Sequence, residues 1–192
     1  MKKTIPLTAP ILCLILGFFL IGQALPKSLT DQWKDVESEI KKGLPKTAIE
    51  KIDPLINRAL KNGSHAVAIR AIGQKINLEG AIEGNKAEEK ISKMEEEIAK
   101  APEALKPMMR AVLSNWYWQY FQQNRWRFAQ RTRTTEASGE DIATWDLSRI
   151  LSEIDKQFQK TLSYHEVLKK EAIGDYDFLL KKGNVPESYR PT

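Results

Sequence analysis

The residues best equipped for chemistry lie between Leu105 and Arg133, in the run LKPMMRAVLSNWYWQYFQQNRWRFAQRTR. Trp116, Tyr117, Trp118, Tyr120, Phe121, Trp126 and Phe128 are interleaved there with Lys106, Arg110, Arg125, Arg127, Arg131 and Arg133, and no acid occurs between Glu103 and Glu136. Arginines among aromatic rings can hold phosphates on their guanidinium groups while bases stack on the rings, which is how a nucleic-acid surface is built. The spacing argues otherwise. Met109, Leu113, Trp116 and Tyr120 follow one another at steps of three and four, and Val112, Tyr117 and Phe121 widen that stripe into the broad apolar face of a helix. The rings are therefore expected inside, with other helices laid around them. The arginines are expected at helix edges, paired with carboxylates elsewhere and covering apolar surface with their stems. Nucleic acid is not expected as a partner, and Arg110, Arg125, Arg127 and Arg131 are the candidate surface for a protein or peptide.

Other reactive side chains are few. His65 falls at a helix start and His165 beside Glu166 at a helix boundary, neither with metal-ligand spacing around it. Glu37 with Glu39, and Glu95 to Glu97, are carboxylate groups on stretches expected to be solvated helix faces, where nothing shifts a pKa toward acid-base work. No nucleophile elbow, phosphate loop or metal motif is present. No enzyme activity, cofactor or metal is expected.

The chain begins Met1-Lys2-Lys3, continues with an apolar run from Ile5 to Ile21, and then reads Gly22-Gln23-Ala24. A short positive segment, an apolar core and small residues at the exit are the layout of a secretory signal cleaved after Ala24. Residues 1–24 are therefore expected to be a signal peptide and 25–192 a single domain that is exported to the periplasm, the cell envelope or the medium. Membrane contact is expected only through that segment, if it is left uncleaved, since its length approaches that of a spanning helix. The single cysteine, Cys13, lies in the apolar run, so the mature chain has no disulfide, thiol nucleophile or cysteine metal site to draw on. Loss of Lys2 and Lys3 takes the formal charge of +5 down by two, to a mild surplus. About 168 residues remain, enough to bury roughly 70% of the unfolded chain's surface, so packing has to supply the stability.

The elements that must hold the aromatic segment are all helical. From Leu29 onward no convincing period-two pattern occurs. A first helix, capped by Thr30, carries Trp33, Val36 and Ile40 to Gly43; a second starts at Pro45, is kinked at Pro54, and closes at Asn62-Gly63. Ser64 caps a third, running to about Gly84. A fourth, Lys86 to Lys100, has a narrow seam of Ile91, Met94 and Ile98. The aromatic helix is the fifth. A sixth, capped by Thr144 or Asp141, points Trp145, Leu147, Ile150, Leu151, Ile154, Phe158 and Leu162 inward, and a seventh runs from about Glu166 to Lys182. The fold class is all-α: an antiparallel helical bundle, or a short tetratricopeptide-like stack of six to seven helices, behind a signal peptide.

Some local signatures exceed what periodicity requires. Trp33-Lys34-Asp35-Val36, then Gly43-Leu44-Pro45-Lys46-Thr47-Ala48, Asn124-Arg125 through Arg131-Thr132, Asp141-Ile142-Ala143-Thr144-Trp145-Asp146 and Tyr189-Arg190-Pro191-Thr192 occur in this order. As an ordered set they resemble the amino-terminal helical region of large bacterial alpha-2-macroglobulin-like proteins, over nearly all of the mature chain. The resemblance implies a non-catalytic module of an exported endopeptidase inhibitor that works by entrapment. It also implies partners: macroglobulin domains of the same or a neighbouring chain, or another envelope protein. No reactive residue carries over, because the family's Cys-Glu-Gln thioester has no counterpart where Cys13 is followed by Leu14 and Ile15. The sequence stops where family members continue, so the chain is expected to be the front piece of a longer protein or a stand-alone relative. The alternative is an independent exported helical-repeat adaptor, with a peptide or protein in a groove lined by Arg110, Arg125 and Arg127.

Overall fold

The computed structural model describes residues 27–131, 139 and 141–176. The segment expected to be a signal peptide and residues 177–192 lie outside them, as does most of the loop expected from Thr134 to Glu140.

Among the described residues the fold is all-helical, with no strand. The helices are α1 (Leu29–Lys41), α2 (Pro45–Lys61), α3 (His65–Ile82), α4 (Ala87–Lys100), α5 (Lys106–Gln130), α6 (Leu147–Leu162) and the single turn α7 (His165–Leu168), with short 3-10 turns at Ile142–Thr144 and Ile173–Tyr176. Each helix from α1 to α6 packs chiefly on its neighbours in sequence. Tight connections enforce this order. Gly43 and Gly63 sit at φ +73° and +67°, a left-handed conformation that costs a residue without a Cβ nothing. Each lets the last turn of one helix close before the next reverses direction, and at the first of them Leu44 N–H bonds back to the Glu39 carbonyl at 3.0 Å.

Two apolar clusters result. Trp33 and Val36 of α1 pack with Ala48, Ile52 and Leu55 of α2 and with Ala71 and Leu78 of α3. The larger cluster joins Ile69, Ile72 and Ile76 of α3 to Ile91, Met94 and Ile98 of α4, to Met109, Leu113, Tyr117, Tyr120, Phe121 and Phe128 of α5, and to Ile150 and Ile154 of α6. α5 is thus the centre of the second half, as its aromatic content requires. Pro54 lies inside α2 on its exposed side, where the backbone donor it lacks leaves no buried acceptor empty.

Several sequence expectations need correction. α1 is capped by Ser28, whose Oγ accepts from Asp31 N–H at 3.1 Å, and Thr30 is already helical. Ser64 stands at the N-cap of α3, but its hydroxyl makes no capping bond. Asp146 caps α6 by accepting from Arg149 N–H at 2.7 Å, whereas Asp141 caps the 3-10 turn before it through Ala143 N–H. The seventh helix breaks after one turn. The gap from Leu168 to Ile173 is five residues, out of step with a helical period, and Gly174 follows. Glu39 does not lie on a solvated face; it is buried and paired with Lys51 at 2.5 Å and Lys42 at 3.2 Å, and these hydrogen bonds hold its carboxyl below the usual range.

The tryptophans of α5 are also not all inside. Trp116 is partly buried against the core, while Trp118 is 41% and Trp126 66% exposed. The fully buried rings are Tyr117 and Phe128. Phe128→Ala is expected to lower the free energy of unfolding by about 3–5 kcal/mol, as a large cavity requires. Trp126→Ala should stay within about 0.5 kcal/mol, as surface changes do. Urea titration followed by circular dichroism measures both.

Candidate functional site

The three arginines of α5 and Arg131 at its C-cap do not converge. Arg127 turns inward: Nη2 donates to the Tyr120 hydroxyl and the guanidinium lies 5.7 Å from the Tyr120 ring centre and 5.6 Å from that of Phe128. Arg131 donates from Nη1 to the Trp145 carbonyl at 2.8 Å, tying the end of α5 to the entry of α6. Neither is paired with a carboxylate as expected; their partners are a phenol, two rings and a backbone oxygen. Arg110 is half-buried one turn into α5, and Arg125 is exposed fifteen residues further on, roughly 22 Å along the axis. No groove is shared by Arg110, Arg125 and Arg127.

Trp116 and Tyr120 line a shallow recess with Lys90, Gln119 and Gln123, which holds neither histidine nor carboxylate. His65 borders a different recess with Glu171, Asp175 and Tyr176, where the Tyr176 hydroxyl donates to Glu171 at 3.0 Å. His165 is exposed, with Nδ1 at 3.0 Å from the Leu162 carbonyl and Nε2 at 2.9 Å from Glu166. No cluster of three or more histidine, cysteine or acidic side chains suited to a metal occurs among the described residues.

Two carboxylates shifted in opposite directions lie where α4, α5 and α6 meet. The Tyr117 hydroxyl donates to Glu95 Oε1 at 3.1 Å, and its ring stacks on Trp145 at 6.4 Å with planes 10° apart. Burial, and then the neighbouring Glu95 charge, push the Tyr117 phenol far above its ordinary value. Partial desolvation raises Glu95 above the usual carboxylate range; the Tyr117 hydrogen bond opposes that rise and the Glu153 charge adds to it. Glu95 is exposed, as expected of its charged stretch, with the Tyr117 hydroxyl as its partner. Glu153 goes the other way: burial would raise it, but hydrogen bonds from Lys156 at 3.0 Å and Gln157 at 2.7 Å outweigh that and hold it low. Gln157 Oε1 is buried with no partner. Below these residues the hydroxyls of Ser114 and Thr161 meet at 3.0 Å, and Thr161 also donates to the Gln157 carbonyl at 3.0 Å. A polar seam thus runs down the α5–α6 contact.

That seam has a consequence on the opposite edge of α6. With Glu153, Gln157 and Thr161 turned inward, Leu147, Leu151, Phe158 and Leu162 are left 37%, 41%, 41% and 58% exposed. At about 100° per residue, the buried side of α6 is rotated by roughly 70° from the centre of its apolar stripe. Sequence reasoning placed all of these side chains inward, which the structure corrects. Trp118 of α5 is exposed as well, its ring 5.7 Å from that of Phe121. At the amino end of α6 the ridge opens into an apolar cleft of about 380 Å³ lined by Phe128, Ala129, Arg131, Asp146, Leu147, Ser148 and Leu151. The signal that pointed to the ridge was an excess: α6 carries more apolar positions than a helix packed on one neighbour can bury, together with three polar residues in phase on one side.

Comparison with protein-family models, with curated proteins and with solved structures gives no match. The macroglobulin resemblance stands on the motifs quoted above alone.

The carboxylates at the three-helix junction set a pH dependence. Because the folded chain holds the Glu95 proton more tightly than the unfolded chain does, stability falls as pH rises from the ordinary glutamate value of 4.5 through the raised one. Glu153 contributes in the opposite sense, with stability gained as pH rises through the window below 4.5 and fully present above it. Glu95→Gln is expected to match the parent near pH 4 and to melt higher than the parent at pH 7, checked by melting curves across that range. Equal melting temperatures at pH 7 would show the carboxyl to be unperturbed.

Proposed function

We propose that this chain is a non-catalytic docking module, acting through the apolar ridge on the outer side of α6. The observation that carries the reading is the exposure of Leu147, Leu151, Phe158 and Leu162 on one face of one helix. A soluble domain that leaves a contiguous apolar strip uncovered has a contact for it. The ridge sits on the last long helix described, α6. The resemblance supplies the partner class: a macroglobulin domain, on the same chain or in trans, of an exported bacterial endopeptidase inhibitor. The module's part in inhibition is then to hold that protein together, without meeting the protease.

Support for a non-catalytic role comes from the recesses. Trp116 and Tyr120 border a shallow hollow without histidine or carboxylate, the recess beside Tyr117 holds Glu95 and Glu153 but no histidine, and the His65 recess borrows nothing from α5. The serial packing of α1 to α6 supports a short helical-repeat stack, since arrays of that kind bury each layer under the next and leave their ends to partners. The adaptor alternative needs Arg110, Arg125 and Arg127 around one groove, but Arg127 is held on Tyr120 and Phe128, and Arg110 and Arg125 stand roughly 22 Å apart along α5. Export rests on the amino-terminal signal pattern. No helix of the described residues is long and apolar enough to cross a membrane.

The test is association of the purified chain with the macroglobulin-type protein of the cell that makes it, read by interferometry. Phe158→Asp is expected to weaken association about tenfold or more while the melting temperature stays near that of the parent, as for loss of an interface anchor. Undiminished association would move the contact off α6.

A further inference from the structure

Between Arg110 and Arg125, α5 has fourteen consecutive residues without a charge, in a chain that is 29% charged. Burial does not account for this. The exposed positions in that stretch are Asn115, Trp118, Gln119, Gln122 and Gln123, every one an amide or an indole, whereas the solvated faces of α1, α2 and α4 carry lysines and acids. Trp116, Gln119, Gln123, Trp126 and Gln130 follow at steps of three and four, so they form one stripe along the helix. The two indoles of the stripe stand roughly 15 Å apart with two amides between them.

The stripe lies on the α3–α4 side of α5, away from α6. There Trp116, Gln119, Tyr120 and Gln123 border a recess of about 190 Å³ together with Asn77 of α3 and Lys90 of α4. Trp33 and Trp145, which hold the fold, donate their indole N–H groups to Glu37 at 2.7 Å and to the Gly139 carbonyl at 2.8 Å. The indole N–H groups of Trp116 and Trp126 donate to no described residue, and neither does the Gln123 amide.

We infer that this stripe binds a neutral carbohydrate chain. A pyranose ring has an apolar C–H face edged by hydroxyl groups, each both donor and acceptor. An indole matches the face; a glutamine or asparagine amide, which also donates and accepts without bearing charge, matches the hydroxyls. The recess is smaller than the roughly 300 Å³ of pockets that enclose a whole small molecule, so it takes one ring of a longer ligand, against Trp116. Gln119 and Gln123 then lie along the path to a second ring on the largely exposed Trp126.

Other occupants suit this face poorly. A nucleic acid would stack on the same indoles, but its phosphates need several cations, and here Arg127 is held on Tyr120 and Lys90 donates to Asn85 Oδ1. A lipid surface calls for leucine and phenylalanine beside the tryptophans, where this stripe has amides that are costly to bury in hydrocarbon. The stripe and the α6 ridge lie on different faces, so the inference is independent of the docking reading.

Titration of the isotope-labelled protein with cellohexaose, chitohexaose and maltohexaose, followed by nuclear magnetic resonance of the indole N–H groups, tests this. At least one of these oligosaccharides is expected to shift the Trp116 and Trp126 signals saturably, with a Kd of about 1 mM or tighter, while those of Trp33 and Trp145 stay in place. Trp126→Ala should weaken binding about tenfold and Gln123→Ala about two- to fivefold, with melting temperatures near the parent's because both side chains are exposed. Phe158→Asp, on the other face, should bind as the parent does. Unmoved Trp116 and Trp126 signals at about 10 mM of each oligosaccharide, or binding indifferent to Trp126→Ala and Gln123→Ala, overturns the inference. Shifts of the same two signals by oligo(dT) or by phosphatidylcholine vesicles, with none from the oligosaccharides, give the stripe to another partner and overturn it equally.

Discussion

The clamp on Tyr117 decides how the second half of the molecule is arranged. Its ring is held against Trp145, just before α6, and its hydroxyl against Glu95 on α4, so one buried side chain of α5 touches both neighbouring helices. Trp145 is fixed in turn: Arg131 grips its carbonyl, its indole N–H donates to the Gly139 carbonyl at 2.8 Å, and the Arg149 guanidinium lies 5.0 Å from its ring centre. With the entry to α6 held in this way and its far end held by the Ser114–Thr161 pair, the helix cannot turn about its axis to bury its leucines. The polar seam goes in and the apolar ridge stays out. A ring stack and a few buried hydrogen bonds hold the seam inward, and a rotation that buried the ridge would leave the seam's polar groups unpaired.

The first five helices were legible in the sequence for local reasons. Gly43, Pro45 and Asn62-Gly63 mark reversals that few other residues accept, and the seams Ile52–Leu55–Ala59 and Ile91–Met94–Ile98 each point one way. α6 was legible as a helix and illegible in its orientation. Its hydrophobic periodicity gives a face, but which face a partner receives depends on where Tyr117 and Trp145 meet, and no spacing rule encodes a contact between residues 28 positions apart. The caps went astray for a smaller reason. Ser28 and Thr30, or Asp141, Thr144 and Asp146, are all competent acceptors within a few residues, and tertiary packing selects among them.

The arginine-rich face of α5 shows how a composition signal can be right about place and wrong about purpose. Arg127 and Arg131 are bound up in holding rings and backbone, which is structural work. Arg125 remains exposed, on the same side of α5 as Trp118 seven residues earlier. The surface proposed for contact is built of leucine and phenylalanine, which a choice of residues by charge does not find. Those residues looked like core because their chemistry is that of core. Only the competition from Glu153, Gln157 and Thr161 for the inward positions reveals their second use.

The orientation of α6 is open to direct measurement by thiol labelling. With Cys13 replaced by serine, single cysteines at Phe158 and at Gln157 are compared for their rate of reaction with a maleimide in the dilute native protein. The clamp at Tyr117 requires rapid labelling at 158 and strong protection at 157. Protection at 158 with rapid labelling at 157 would mean that the leucine face is buried, and that neither the ridge nor anything built on it exists.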